Sequence, residues 1–314
     1  MLYLFLFILL FIISAETSSC SFKEGNATCA PRLKDEVRPY FLNLKEKIKQ
    51  DLKGKVSEDF VEKVLCSEEV EFNPELMVKS LTWKEAKLPY HQFLESERVE
   101  RAFRFLCRYY NLLSEIEKTF DVEKEVIVSI LLVETDLGRK TGKHTVLNTF
   151  LSLALTGNET LFLRYLPQNG EVDFRNETTK QRYRRRADWA YGELLYALEY
   201  LYLNNVPPFE LKGSIFGAFG YPQFVPRSVF FYGYDWDGDG KVNLFDYPDA
   251  LASIANYLAK EGYKRLLPRE NKFKVIMKYN KSEPYAKTVL ELSETLKGRL
   301  AEQNEGSSCG IEGE

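Results

Sequence analysis

The stretch VIVSILLVETDLGRKTG, residues 126–142, decides how the chain is read. Its first eight residues are aliphatic apart from Ser129, which predicts the buried part of a helix that ends near Gly138. Glu134 follows directly after Val133. Burying a carboxylate without a partner is costly, so Glu134 needs a reason to be there. One is ordinary: a helix-end acid pairing with Arg139 or Lys140. The other is chemical. An apolar wall disfavours the charged form, so the group holds a proton near neutral pH and can give it to a leaving oxygen. Cleavage of a glycosidic bond needs such a proton, and a second carboxylate normally accompanies it. Asp136 is the nearest acid, but residues two apart on a helix do not face each other.

Outward from this segment the pattern is helical. Apolar residues recur at three- and four-residue spacing over 37–64, with Ser57, Glu58 and Asp59 marking a capped start. Residues 96–120 predict one long amphipathic helix, and NTFLSLAL (148–155) a short one. RRRADWAYGELLYALEYLYLN (184–204) is strongly apolar, DALASIANYLAKEGY (249–263) ends at Gly262, and PYAKTVLELSETLKGRL (284–300) is the last helix. Residues 72–94 are broken by prolines and predict a traversing segment. Strands are expected only near 165–176 and 241–246. The fold class is therefore mainly α (α+β). The polar segment 156–186 interrupts the helices and is long for a connection. Its arginines Arg182, Arg184, Arg185 and Arg186 predict either a solvated basic turn or a patch for an anionic ligand.

The chain has 314 residues and a net charge of −3, which gives no reason to expect a nucleic-acid partner. Residues 1–15 are apolar and end in small residues, too short for a comfortable membrane span and placed where an export signal sits. Cleavage after Ala15, lipidation of Cys20 and an uncleaved anchor are the alternatives. Five cysteines with no C-x-x-C pair argue against zinc or thioredoxin-like chemistry. Lipidation of Cys20 would leave four, enough for two disulfides. The expected layout is a signal peptide over 1–19, a loose segment over 20–36, one domain over 37–300 and a flexible tail over 301–314. Two histidines and no G-x-S-x-G disfavour a Ser–His nucleophile.

DWDGDGKVNLFD (235–246) places Asp235, Asp237 and Asp239 at positions 1, 3 and 5 of a calcium-type loop, with Gly240 at the sharp turn and the Lys241 carbonyl at position 7. Position 12 is Asp246 rather than the longer glutamate, and Asp249 is the other candidate to close the site. A plain Asp-Gly turn is the alternative to a cation. Ahead of it, in LKGSIFGAFGYPQFVPRSV, Gly213, Gly217 and Gly220 fall at helical spacing, where backbone can approach closely. Ser214 and Gln223 are neutral groups suited to sugar hydroxyls or N-acetyl groups.

ILLVETDLGRKTGKHTVLNTFLSLA, LKGSIFGAFGYPQFVPRSV, DWDGDGKVNLFDYPDALASIANYL and YNKSEPYAKTVLELSETL resemble, in order, four motifs of the lytic murein transglycosylase B family (glycoside hydrolase family 103). The resemblance implies a lysozyme-like core with an N-terminal helical region and an inserted EF-hand-like loop over 235–249. It implies a monomer, periplasmic or outer-membrane associated, acting on peptidoglycan glycan strands. The bond cut is the β-1,4 link between N-acetylmuramic acid and N-acetylglucosamine, leaving 1,6-anhydromuramoyl ends, with Glu134 as sole acid and base. Ser214, Gln223, Tyr257, Asn280 and Tyr285 match positions lining the sugar site. Structural calcium would lie among Asp235, Asp237, Asp239, the Lys241 carbonyl and a closing Asp249. Tyr221-Pro222 and segment 156–186 depart from the family's pattern. The reading from a different class is a calcium-stabilised, non-catalytic peptidoglycan-binding protein.

Overall fold

The computed structural model describes residues 29, 31–83, 89–168 and 170–304; the apolar start, Cys20 and Cys309 lie outside them. The helices in chain order are α1 (Arg38–Asp51), α2 (Glu58–Leu65), α3 (Glu75–Thr82), α4 (Ser96–Arg108), α5 (Tyr110–Phe120), α6 (Lys124–Thr135) and α7 (Val146–Leu155). They continue with α8 (Glu159–Arg164), α9 (Glu177–Leu203), α10 (Pro226–Tyr232), α11 (Tyr247–Lys260), α12 (Arg269–Tyr279) and α13 (Glu283–Asn304). A 3-10 turn, Tyr90–Leu94, precedes α4.

Local chemistry explains many of these ends. The Ser57 hydroxyl accepts the Phe60 N–H at the start of α2, and Asn158 and Asn176 cap α8 and α9 in the same way. Gly262 follows α11 with φ 98°, as its reading as a stop requires. The helix expected over 96–120 is two, because Tyr109 (φ −104°, ψ 21°) breaks it between α4 and α5. The proline-broken segment 72–94 still forms α3 and the 3-10 turn. Segment 156–186 is not one loop: it contains α8 and the start of α9, so the four arginines stand on a helix rather than a turn.

The strands expected near 165–176 and 241–246 are absent; the described residues form turns and bends, the first after α8 and the second just ahead of α11. The sheet is instead a two-strand antiparallel ladder, β1 (His144–Thr145) with β2 (Lys212–Gly213), pairing His144 with Gly213 and Thr145 with Lys212. Strands this short leave no alternation to detect in sequence.

Two apolar cores form. One gathers α1–α3, α7–α9 and residues of the 211–244 region; the other gathers α4–α6 and α11–α13 around α6. Tyr257 and Tyr279 pack against both. Every residue of α6 from Glu125 to Val133 is buried, as expected of a helix apolar on all sides. Cys29 and Cys66 form a disulfide that ties the chain ahead of α1 to the end of α2, a pairing the sequence had left open.

Candidate active site

Glu134 stands in the last turn of α6, half-buried, where the helix leaves the second core. The Tyr285 hydroxyl, on α13, donates to Glu134 Oε1 at 2.7 Å. Tyr279 lies parallel to Tyr285, with ring centroids 6.5 Å apart and planes at 10°, and Tyr90 meets Tyr285 edge-on at 5.9 Å. Burial pushes both the Tyr279 and Tyr285 phenols well above their ordinary range, and the Glu134 charge pushes the same way. They are neutral hydrogen-bond donors at physiological pH.

Arg139, one of the partners expected for Glu134, lies beside the neighbouring acid. Asp136 accepts from Arg101 Nη2 at 2.9 Å and lies 3.9 Å from Arg139. Asp136 is thus bound into an ion pair, and it is buried.

The glycine-rich segment closes the site from the other core. Its glycines do not lie on a helix: residues 214–224 form tight turns, with Gly217 and Gly220 at φ 85° and 72°. The close approach expected of them is real. A Cβ on Gly217 would sit 2.4 Å from the Phe150 ring, and one on Gly220 2.4 Å from Leu244 Cβ. Two contacts stitch this segment to the turn after Glu134 and a third ties it to the end of α12. The Thr135 hydroxyl donates to the Tyr221 carbonyl at 2.9 Å, Gln223 Nε2 to the Thr141 carbonyl at 3.2 Å, and the Tyr279 hydroxyl to the Pro222 carbonyl at 2.6 Å. Tyr221-Pro222, the departure in the motif, is therefore the seam, with the Tyr221 ring lying over Gly138.

Of the residues singled out in sequence, Glu134 and Tyr285 touch, and Gln223 reaches the same turn. Gln223 Nε2 also donates to the Gly220 carbonyl at 2.9 Å, so its amide hydrogens are spent and Oε1 is the group left for a ligand. Ser214 Oγ accepts the Ala218 N–H at 3.1 Å and keeps its own hydrogen to donate. Asn280 follows the end of α12, between Tyr279 and the start of α13. Tyr257 stands behind Tyr279, ring centroids 4.7 Å apart, and its hydroxyl donates to the Lys278 carbonyl at 2.7 Å. Tyr279, Thr135 and Tyr90 were missed. The first two adjoin residues already singled out, Asn280 and Glu134; Tyr90 carried no signal.

A cavity of about 310 Å³ between α3 and α9 is lined by Ser80, Leu81, Arg182, Arg185, Arg186 and Trp189. Arg182 donates to the Leu81 carbonyl at 2.8 Å, and Arg186 lies over Trp189. None of the three arginines is in an ion pair with a described carboxylate. Burial lowers the Arg186 pKa, and Arg182 beside it acts in the same direction. Trp189 packs on Phe150, the ring beneath Gly217, so the cavity neighbours the glycine-rich turn.

In the acidic loop, one carboxylate oxygen each from Asp235, Asp237 and Asp239 lie within 4.8 Å of one another. Asp235 accepts from the Gly238 and Gly240 N–H groups at 2.7 and 2.8 Å, which wraps the loop about it. Asp249 is buried outside that trio and accepts from the Trp236 and Asn243 N–H groups, both at 2.8 Å. Burial raises the Asp249 pKa, and the charges of Asp237 and Asp235 add to the effect. Crowded hard oxygen donors of one sign fit a hard divalent cation.

A mainly helical body, with one glutamate ringed by tyrosines at the seam of two cores, defines a lysozyme-like architecture. Comparison with known proteins agrees. Residues 42–271 match the family model described as the transglycosylase SLT domain, and the chain belongs to that family. The membrane-bound lytic murein transglycosylase B of Escherichia coli (strain K12) is 32% identical over 172 residues; the match takes in 55% of this chain and 40% of that protein. Among solved structures, the Escherichia coli lytic transglycosylase SLT35 in complex with bulgecin A has 21% identity and a TM-score of 0.66, over 84% of this chain and 94% of that one. The same protein in complex with calcium gives 21% and 0.65 at the same coverages. SltB3 from Pseudomonas aeruginosa in complex with NAG-NAM-pentapeptide gives 22% and 0.64, over 82% of this chain and 80% of that one. These likenesses establish the fold.

Proposed function

We propose that the protein is a lytic transglycosylase that cuts the β-1,4 bond between N-acetylmuramic acid and N-acetylglucosamine in peptidoglycan glycan strands. The observation that carries this reading is the placement of Glu134 at the end of α6, with the Tyr285 hydroxyl on its Oε1, beside the glycine-rich turn. Glu134 faces the buried Tyr285 hydroxyl, while Asp136 is held by Arg101. In this reading one carboxyl group acts twice. It first protonates the glycosidic oxygen as the bond to the muramoyl C1 breaks. The resulting carboxylate then takes the proton of the muramoyl 6-hydroxyl as that oxygen bonds to C1. The products are a free N-acetylglucosamine 4-hydroxyl and a 1,6-anhydro ring, and no water is consumed. Tyr285 holds Oε1 and so fixes the orientation of the carboxyl group. Gln223 Oε1 and the Ser214 hydroxyl are suited to N-acetyl and hydroxyl groups of the sugars, and Asn280 and Tyr257 flank the tyrosine wall.

Peptidoglycan carries acidic peptides, and the arginine-lined cavity beside the glycine-rich turn is placed to meet their carboxylates. Calcium would be held by Asp235, Asp237, Asp239 and the Lys241 carbonyl, with Asp249 closing the loop from beneath. Bound there, it would supply charge neutralisation that stiffens the loop, away from Glu134. The calcium complex of the Escherichia coli enzyme supports this assignment. The apolar start of the chain supports export to the periplasm or outer membrane, and no helix of the described residues is long and apolar enough to cross a membrane. The test is digestion of purified peptidoglycan by wild type beside Glu134→Gln. Cleavage by wild type alone is expected; equal cleavage by the variant rejects Glu134, and binding by wild type without cleavage favours a non-catalytic wall-binding protein.

A further inference from the structure

The chain leaves α6 through three consecutive residues with positive φ: Asp136 at 51°, Leu137 at 60° and Gly138 at 84°. A helix commonly ends in one left-handed residue, usually glycine. Here the first two carry side chains; an aspartate accepts that conformation better than most residues, but a leucine does not. Such backbone persists only where its surroundings over-determine it, and it concentrates at functional sites. The surroundings are visible. Arg101, on α4, donates to Asp136 Oδ1 at 2.9 Å, with Asp136 buried and a second Arg101 nitrogen 2.6 Å from Glu97. The Tyr247 hydroxyl, on α11, donates to the Leu137 carbonyl at 2.9 Å. The Gly138 N–H donates to the Thr135 hydroxyl at 3.0 Å, and that hydroxyl in turn donates to the Tyr221 carbonyl. Glu134 is the residue immediately before Thr135.

We propose that Arg101 and Tyr247 are positioning residues for Glu134: by clamping the left-handed turn 136–138 they hold the end of α6 against the glycine-rich segment and aim the carboxylate at Tyr285. Neither touches Glu134 in the contacts above; they act through Asp136 and Leu137. The proposal rests on the function proposed for Glu134. It adds that the aim of that residue comes from a strained turn held by two neighbouring helices.

Asp136→Gly tests this directly. Glycine prefers the left-handed conformation, so the variant relieves backbone strain while removing the anchor for Arg101. Tyr247→Phe removes only the hydrogen bond to Leu137. Each is expected to lower kcat about tenfold or more with KM nearly unchanged, as loss of an interaction needed only in the transition state requires. Tyr247→Phe should leave the melting temperature close to wild type, and Asp136→Gly, which leaves Arg101 without its buried partner, is compared at equal folded fraction. Asp136→Asn, which tolerates the same conformation and keeps an acceptor for Arg101, should recover most of the turnover. Amide exchange at Leu137 and Gly138 should quicken in Asp136→Gly and Tyr247→Phe. Wild-type kcat in both variants, or losses that merely follow the folded fraction, would overturn the proposal. So would unchanged exchange at Leu137 and Gly138. If wild type itself cleaves no peptidoglycan, the functional reading fails, and the exchange data still decide whether Arg101 and Tyr247 hold the turn.

Discussion

Glu134 leaves the end of a buried helix among neutral phenols, whereas Asp235, Asp237 and Asp239 crowd an exposed loop whose backbone N–H groups point at them. The functional group is the same and the surroundings are opposite. In the first place a carboxyl group at the mouth of an apolar core, oriented by a phenol, suits proton transfer to a bound substrate. In the second, water and several carboxylates at close range favour a cation that cancels their repulsion. The contrast separates chemistry from support: damage to one end should stop turnover in a folded protein, and damage to the other should soften a protein that still turns over.

The largest expected effect is at Glu134. Glu134→Gln should lower the rate of peptidoglycan digestion by roughly 10²–10⁴-fold, the usual reach of general acid–base catalysis. The melting temperature should barely move. A rate within a few-fold of wild type would break the comparison at its first half.

Tyr285→Phe comes next. It removes the donor to Glu134 from a fully buried ring. Turnover should fall about tenfold and stability by about 1 kcal/mol, typical of one lost hydrogen bond. Steady-state kinetics beside a denaturation curve would show whether the rate falls by more than the folded fraction does.

At the loop, the order reverses. A chelator should lower the melting temperature by several degrees, because a ligand at about 100 times its dissociation constant adds about 2.7 kcal/mol to the native state. Initial rates well below the transition should change less than about twofold, since the loop takes no part in the proton transfers. Asp237→Ala should reproduce the chelated state and make the protein insensitive to chelator. An unchanged melting temperature with chelator would remove the structural cation.

The smallest effect sharpens the comparison within α6 itself. Glu125 is buried near the start of the same helix, and burial raises its pKa. The folded state then holds that proton more tightly than the unfolded chain. Its stabilising contribution is complete below the ordinary carboxylate range and is lost as pH climbs through the raised value. Glu125→Gln should therefore raise the melting temperature at pH 7 and leave it unchanged in acid, with peptidoglycan digestion unaffected. Equal gains at both pH values would show that Glu125 is not held protonated by burial.

How much of this was legible in sequence depends on whether the cause was local. The aliphatic run ahead of Glu134 announced α6, and Ser57 and Gly262 marked their helix ends, because each signal acts within a few residues. The first turns of α9 were hidden because they are polar and largely exposed, although Asn176 caps them. α12 was not anticipated at all: it buries only Val275 and Ile276, too few for a periodic stripe. The glycines gave the right close approach for the wrong reason: Gly213 lies on β2 against Ala218, and turns, not a helix, bring Phe150 against Gly217 and Leu244 against Gly220. The Tyr285–Glu134 and Thr135–Tyr221 contacts span 151 and 86 residues, and no local pattern encodes such a meeting. The motif resemblance pointed to Tyr285, while Tyr279, one residue from the matched Asn280, needed the fold.

The most direct test of a single carboxyl group acting twice is the mass of the products released from purified peptidoglycan by the wild-type protein. The account predicts muramoyl ends lacking one water, formed as the 6-hydroxyl closes on C1. Products carrying that water would contradict it and require a second carboxylate to activate the attacking water.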